Sequence, residues 1–454
     1  MSIKIRFLGG VGTVTGSKYR VQTPDARLLV DCGLFQGYKK LRLRNWEALP
    51  FDPQEVDAVV LTHAHLDHSG YIPLLVKRGY TGPILCTEPT LALCEILLRD
   101  SGFLQERDAE YANRHGFSKH HPALPLYTRE DADKSLARFK TVPFGQEYTA
   151  AKGVSLRFSP AGHILGAAII ELTCAGQRLV FSGDLGRPGS ATMVDPTPIR
   201  NADFLVVEST YGNRRHDIGD PERLLGEMIT RTTSRGGTVL IPAFAVGRTQ
   251  TLLHYLARLK ASRRIPAVPI YLDSPMATDA SDIFCRFRSQ HRLTEEECHA
   301  ACDVAHYVRD VEESKSLAES PMPKVIISAS GMATGGRVLH HLKRYAPDRR
   351  NMILFSGFQA GGTRGASMVA GAEAVKIHGQ MVSVQAEVAN LHMLSAHADA
   401  DEILGWLRGF EKPPETTFIT HGEPEASDAL RLRIEQDLGW KCRVPEQGEE
   451  VALQ

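Results

Sequence analysis

The chain has 454 residues, too many for one ordinary globular core, so two or three domains are expected and disulfide staples are not needed. Apolar residues make up 43% and charged residues 23%, close to the folded-protein average, which excludes a disordered, collagen-like or coiled-coil chain. Lysine plus arginine equals aspartate plus glutamate at 53 each, so whole-chain charge points neither to nucleic acid nor to a membrane, and any such signal must be local.

The amino terminus runs straight into strand-like alternation, without a basic region, apolar stretch and cleavage site in order, so no signal peptide is expected. No run of eighteen apolar residues suggests a spanning helix, and the eight cysteines are scattered without CxxC pairs. A cytoplasmic protein with free thiols and no membrane partner is the expectation. Cys298 and Cys302, with His299 and His306, imitate a metal cluster but lie in an acidic, helix-like stretch, and a helix is the preferred reading.

Short apolar runs predict strands at Ile3–Leu8, Leu28–Asp31, Ala58–Leu61, Ile84–Thr87, Ser155–Ser159, Ala168–Thr173, Leu179–Ser182 and Phe204–Glu208. Helical spacing predicts helices at Pro89–Arg114 and Arg129–Phe139. After Glu208 strand and helix alternate regularly: helix Pro221–Arg235, strand Thr238–Pro242, helix Arg248–Lys260, strand Ile270–Asp273, a helical stretch from Ala277, strand Lys324–Ser328, helix Gly336–Tyr345 and strand Asn351–Ser356. That rhythm indicates a parallel sheet in an α/β protein. Residues 212–385 hold 23 lysines and arginines against 17 acids, leaving 30 against 36 elsewhere, so a cationic middle interrupts an anionic frame.

The strongest chemical signal is Thr62-His63-Ala64-His65-Leu66-Asp67-His68, directly after an apolar run. Three imidazoles and a carboxylate on a loop leaving a strand offer the nitrogen and oxygen ligands that zinc prefers, and one ion cannot easily use all four. His63 and His65 can serve one ion while Asp67 and His68 reach a second. Further ligand types follow later apolar runs: His163 in Pro160-Ala-Gly-His, Asp184 in Ser182-Gly-Asp and His421 in Ile419-Thr-His-Gly. The glycines beside them allow backbone to approach a site closely.

On these residues the chain resembles the metallo-β-lactamase superfamily, and within it the β-CASP nuclease branch, along essentially its whole length. Asp31, the His63–His68 motif, His163 and Asp184 match the superfamily's four motifs. Glu208 after a strand, His397 in Leu394-Ser-Ala-His and the late His421 match the branch. The resemblance implies an αβ/βα sandwich formed by residues 1–212 and 385–454, with an inserted β-CASP α/β domain at residues 213–384. It also implies two zinc ions, one on His63, His65, His163 and Asp184, the other on Asp67, His68, His421 and the shared Asp184. Asp31 would orient a ligand imidazole. A two-metal hydroxide mechanism would cleave phosphodiesters, with Asp67 serving the catalytic centre as a ligand and His397, oriented and charged by Glu208, protonating the leaving oxygen.

For substrate binding, the glycine-rich Ser328–Arg337 segment is expected to open a helix and to bind phosphate through Ser330, Gly331 and Arg337, with Arg248 and Arg364 as further contacts. Ordinary turn geometry is the competing reading for these loops. Arg214 and Arg215 are read equally as phosphate contacts or as exposed charge, and Phe244 and Phe358 as core rather than base-stacking residues. Gly9-Gly-Val-Gly-Thr-Val-Thr-Gly-Ser-Lys18 looks like a phosphate loop, but Ser17 separates its last glycine from the lysine and a strand follows, so a hairpin turn beside the metal site is expected.

The function expected is a zinc-dependent endoribonuclease acting on single-stranded RNA in processing or decay and leaving 5′-phosphate. DNA is the alternative substrate, although His421 stands where DNA-repair members of the branch usually carry valine. A glyoxalase II-like thioester hydrolase and a catalytically inert RNA-binding scaffold are the other readings. Without an amino-terminal KH region or a long carboxy-terminal domain, strong 5′-to-3′ processivity is not expected, and a homodimer remains an open option.

Overall fold

Alternation decides the first strand: Ile3, Ile5 and Phe7 are buried while Lys4 and Arg6 face outward, the period-two pattern of a half-covered sheet. In the computed structural model, which describes residues 3–116 and 118–453, this strand sits near the edge of a seven-stranded sheet. Its order is Glu450–Leu453, Ile3–Gly9, Lys18–Gln22, Arg27–Val30, Ala58–Val60, Ile84–Cys86, Phe139–Thr141. The first four strands pair antiparallel and the rest parallel. A second seven-stranded sheet runs Cys442–Arg443, Thr416–Thr420, Phe204–Glu208, Gln177–Phe181, Ala168–Cys174, Val154–Pro160, Glu147–Ala151.

One apolar cluster joins both sheets. Phe7, Val21, Leu28 and Val60 from the first meet Phe158, Ile170, Phe181 and Phe418 from the second, with Phe7 and Phe418 ring centroids 5.1 Å apart. The long helix Glu88–His115 starts at Thr87, whose hydroxyl accepts from the Thr90 amide, with Pro89 in its first turn, and stops at Gly116 in the left-handed conformation. Phe139, expected at a helix end, instead begins an outer strand of the first sheet, and Glu147–Ala151 adds a strand too polar for the apolar pattern to reveal.

The chain divides into two compact units. The first comprises residues up to Ser190, Val194–Arg215 and the chain from His397; the second comprises Ala191–Met193 and His216–Ala396. The second is built on an all-parallel sheet ordered His306–Tyr307, Ile270–Leu272, Val325–Ser328, Val239–Pro242, Met352–Phe355, Glu387–Asn390. Both faces are covered, as parallel sheets require: Val239, Ile241, Val325 and Leu354 join one cluster, Leu240, Ile326, Ile353 and Phe355 another. This unit runs on to Ala396 rather than stopping at residue 384, because Glu387–Asn390 pairs with Met352–Phe355 and completes the sheet. Among the described residues no helix is long and apolar enough to cross a membrane.

Candidate metal centre

Five loops of the first unit, each leaving the end of a strand, carry Asp31, residues 63–68, His163, Asp184 and His421, while Glu208 is the last residue of a strand. Two ligand sets result: His63, His65, His163 and Asp184, and Asp67, His68 and His421, with the candidate ligand atoms of each set within 4.8 Å of one another. Asp184 lies between them, its Oδ2 3.4 Å from His63 Nε2 and its Oδ1 3.2 Å from His68 Nε2 and 3.4 Å from His421 Nδ1. His421 Nε2 is 3.5 Å from Asp67 Oδ2. Close backbone approach makes this possible: a Cβ on Gly33 would lie 1.6 Å from the Asp67 carbonyl oxygen. Asp31 and His421 both hold left-handed backbone, φ 57° and 49°, a conformation costly for non-glycine residues and concentrated at functional sites.

Hydrogen bonds around the ligands fix their orientation. The Asp31 carboxylate pairs with His68 Nδ1 at 2.7 Å and accepts from the Thr62 amide at 2.8 Å and the Thr62 hydroxyl at 2.9 Å. Thr62 Oγ1 also lies 3.0 Å from His63 Nδ1, and Thr210 Oγ1 3.1 Å from His421 Nδ1. The His421 amide donates to Gly10 O at 2.6 Å, so the Gly9–Lys18 turn does border the centre. The sequence reading passed over Thr62 and Thr210, although one precedes the HxHxDH motif and the other follows Glu208 by two positions.

The donor set fits metal ions. Imidazole nitrogens converge on one another, with His63 Nε2 and His163 Nε2 each 3.2 Å from His65 Nδ1 and His68 Nε2 3.1 Å from His421 Nε2. Burial and the neighbouring His68 hold His63 well below its usual value, leaving the neutral imidazole that a metal requires. At His68 burial is overcome by the Asp184 and Asp31 carboxylates, which raise it well above its usual value. Against its own burial, Asp184 is held well below the ordinary carboxylate range by His421, His68 and His63. The carboxylates thus demand positive charge at the centre, which a cation supplies as well as a proton does.

Beside this cluster, His397 Nδ1 is 3.1 Å from Glu208 Oε1 and 3.9 Å from Asp184 Oδ2. Glu208 is buried and also accepts from the Leu185 amide at 2.6 Å. Burial disfavours the charged form of His397, but the Glu208 and Asp184 carboxylates outweigh it and raise the pKa. His397 is anchored by bridge pairing with Gly186 and by Ala398 N donating to Leu185 O, while Asp399 caps the helix Ala400–Leu407.

The signature of the Metallo-beta-lactamase superfamily matches residues 11–267, the Beta-Casp domain 249–368, and the Zn-dependent metallo-hydrolase RNA specificity domain 381–445. The chain belongs to the metallo-β-lactamase superfamily, in its β-CASP branch. It is 38% identical to Ribonuclease TTHA0252 of Thermus thermophilus over 93% of this chain and 94% of that one. It is 32% identical to the transcription termination factor FttA of Methanocaldococcus jannaschii over 93% of this chain and 67% of the relative. A crystal structure of a protein of unknown function from Enterococcus faecalis, 14% identical and covering both chains fully, shares the fold with a TM-score of 0.55. This β-CASP protein is therefore a metal-dependent hydrolase by family.

In the β-CASP unit the expected phosphate loops have other commitments. The helix begins at Val338, so Ser330 and Gly331 lie upstream of it rather than in its first turn. Ser330 Oγ accepts from the Thr334 amide at 3.0 Å, and Gly331 is buried against Phe244. Arg337 donates to Asp273 Oδ1 at 2.6 Å and to the Val308 and Arg309 carbonyls, while Arg364 donates to the carbonyls of Lys376, Ala333 and Thr334. Arg248 is buried in the first turn of its helix. Within the fold Arg337 is thus engaged by the Asp273 carboxylate and two carbonyls, and Arg364 by three carbonyls. Phe244, expected in the core, is 37% exposed and Phe358 is half-buried. In the first unit Arg214 lies over the Tyr211 ring at 5.7 Å and Arg215 pairs with Asp401 at 2.6 Å.

Proposed function

We propose that this protein is a zinc-dependent endoribonuclease that hydrolyses single-stranded RNA with two metal ions and leaves 5′-phosphate ends. The observation carrying this is the pair of converging ligand sets with the Asp184 carboxylate between them and a carboxylate-charged histidine at their side. Its 38% identity to a protein named a ribonuclease and its RNA specificity domain signature favour RNA over DNA.

His63, His65, His163 and Asp184 would hold one zinc, and Asp67, His68, His421 and Asp184 the other. Bound there, the two ions supply water activation at neutral pH and charge compensation for an in-line displacement at phosphorus. Asp31 holds the His68 ring in register through Nδ1, and Thr210 does the same for His421. Glu208 keeps Nδ1 of His397 engaged, so the other ring nitrogen, Nε2, is the one that delivers a proton to the departing 3′ oxygen. Loss of that oxygen leaves the phosphate on the 5′ side of the next nucleotide.

The test is cleavage of matched, labelled single-stranded RNA and DNA by the purified chain, with and without a chelator. Internal cuts in RNA that vanish on chelation and return with zinc are the expected result. Cleavage of DNA with RNA spared would shift the reading to a DNA nuclease, and no cleavage of either by zinc-loaded protein would overturn it.

A further inference from the structure

The segment Tyr38-Lys39-Lys40-Leu41-Arg42-Leu43-Arg44-Asn45-Trp46 holds four cations and no carboxylate in a chain whose overall charge is balanced. Its helix, Lys39–Arg44, buries none of its residues, and Tyr38, Leu43 and Trp46 stand 57%, 52% and 54% exposed. Helices in folded proteins are stabilised chiefly by an apolar face packed on the core, which this helix lacks.

The segment is nonetheless held firmly. Asn45 is buried and bonds the Phe35 backbone in both directions, accepting from its amide at 2.9 Å and donating to its carbonyl at 2.8 Å. Arg44 lies over the Phe35 ring at 5.4 Å, and Arg78 donates to the Glu47 carbonyl at 2.9 Å. One buried amide therefore closes the loop and presents two aromatic rings outward. Lys39, Lys40 and Arg42 enter no ion pair among the described residues. Elsewhere in the same unit Lys77, Arg99 and Lys134 pair with Asp131, Asp133 and Glu130.

The position matters as much as the composition. The chain leads from Asp31, beside His68, to Tyr38 in seven residues, a span of at most about 25 Å. Its first part, through Gly33, is packed against the Asp67 backbone. The surface thus lies within about 25 Å of Asp31 along the chain, in the same unit as the ligand cluster.

We propose that Tyr38, Lys39, Lys40, Arg42 and Trp46 form a docking surface for single-stranded RNA, the rings stacking on bases and the cations contacting phosphates. This rests on the ribonuclease reading and adds where the strand is gripped outside the cleaved bond. Flat rings interleaved with unpaired cations match a single strand, whose bases offer π-faces and whose backbone offers charge. An acidic peptide would use the cations alone; an anionic membrane could take both rings and cations, and titration with vesicles separates it from RNA.

Fluorescence gives a direct test, because the chain has three tryptophans and the other two, Trp406 and Trp440, are buried. The zinc-loaded full chain carrying His397→Ala, used so that the RNA stays whole, is titrated with oligouridylate, anionic vesicles and an acidic peptide in turn. Oligouridylate is expected to quench emission, and Trp46→Phe to abolish that quench while binding persists. Tyr38→Ala and Trp46→Ala should each weaken binding about tenfold. The triple variant Lys39→Gln/Lys40→Gln/Arg42→Gln should reduce the slope of log affinity against log salt by about 2. Unchanged affinity and slope in these variants, a quench that survives Trp46→Phe, or a response only to vesicles or peptide overturns the proposal. Matching thermal unfolding of the variants guards against misfolding. Wild-type cleavage of RNA alongside unchanged variant binding refutes this surface alone, whereas binding at Trp46 without cleavage refutes the nuclease reading alone.

Discussion

Each unit buries a histidine–aspartate cluster, and the two differ in how their charges are met. In the second unit Asp273 is fully buried and accepts from Arg337 and His341 at 2.6 Å and from the Ser314 hydroxyl at 2.5 Å. Its carboxylate is held below the usual range, against its burial, by hydrogen bonds from those same groups. Apart from His341 Nδ1, which is buried without a hydrogen-bond partner, each polar group there faces one of the opposite kind. In the first unit, imidazole nitrogens face imidazole nitrogens at 3.1 to 3.2 Å around the Asp184 carboxylate. A buried network that is self-satisfied ties elements together, while one whose acceptors converge on one another is shaped for a cation. The difference separates architecture from chemistry without reference to residue type.

Substitutions can break that contrast from either side. Asp184→Asn removes the carboxylate that lies between the two ligand sets and is expected to strip bound metal and lower cleavage by about 10³-fold or more, read by metal analysis and initial rates. Asp273→Ala leaves Arg337 without its buried counter-charge and His341 without its hydrogen-bond partner, and should cost about 3–5 kcal/mol in denaturant unfolding while metal content stays the same. A loss of metal in the Asp273 variant would erase the distinction between the clusters. Asp31→Asn keeps the shape of the first centre but weakens the partner of His68, and chelator competition should register a fall of about 10- to 100-fold in metal affinity.

The smallest effect concerns pH. Lys324 donates to the Leu317 and Ser320 carbonyls at 3.0 and 2.6 Å, and burial pushes it down to about 8 from 10.5. Its folded value lies below the unfolded one, so the unfolded chain holds this proton more tightly and stability is reduced at neutral pH. Compared with Lys324→Met, the wild-type protein should gain stability as pH rises from 8 towards 10.5, measured by unfolding at fixed salt.

The convergence of the candidate ligands was legible in the sequence because residue type and short spacing carry it: His63 to His68 span one loop, and His163, Asp184 and His421 each follow an apolar strand. The internal partners of the glycine-flanked arginines were not. An arginine near glycines reads as a phosphate contact, but which carbonyls come within its reach depends on segments as distant as Val308 for Arg337 and Lys376 for Arg364. Strands such as Glu147–Ala151 and the hairpin Ala374–Ile377 with Gln380–Ser383 escaped notice because they are short and partly exposed. The helix Lys39–Arg44 escaped for a related reason, having no buried face to impose a period.

The central claim is that His397 gives its proton to the leaving group while the metal ions are held by other residues. The measurement that tests it is RNA cleavage by His397→Ala with metal content determined on the same sample. The account predicts full metal occupancy with cleavage reduced about 10²- to 10⁴-fold. Cleavage near the wild-type rate, or loss of metal in step with loss of activity, would contradict it.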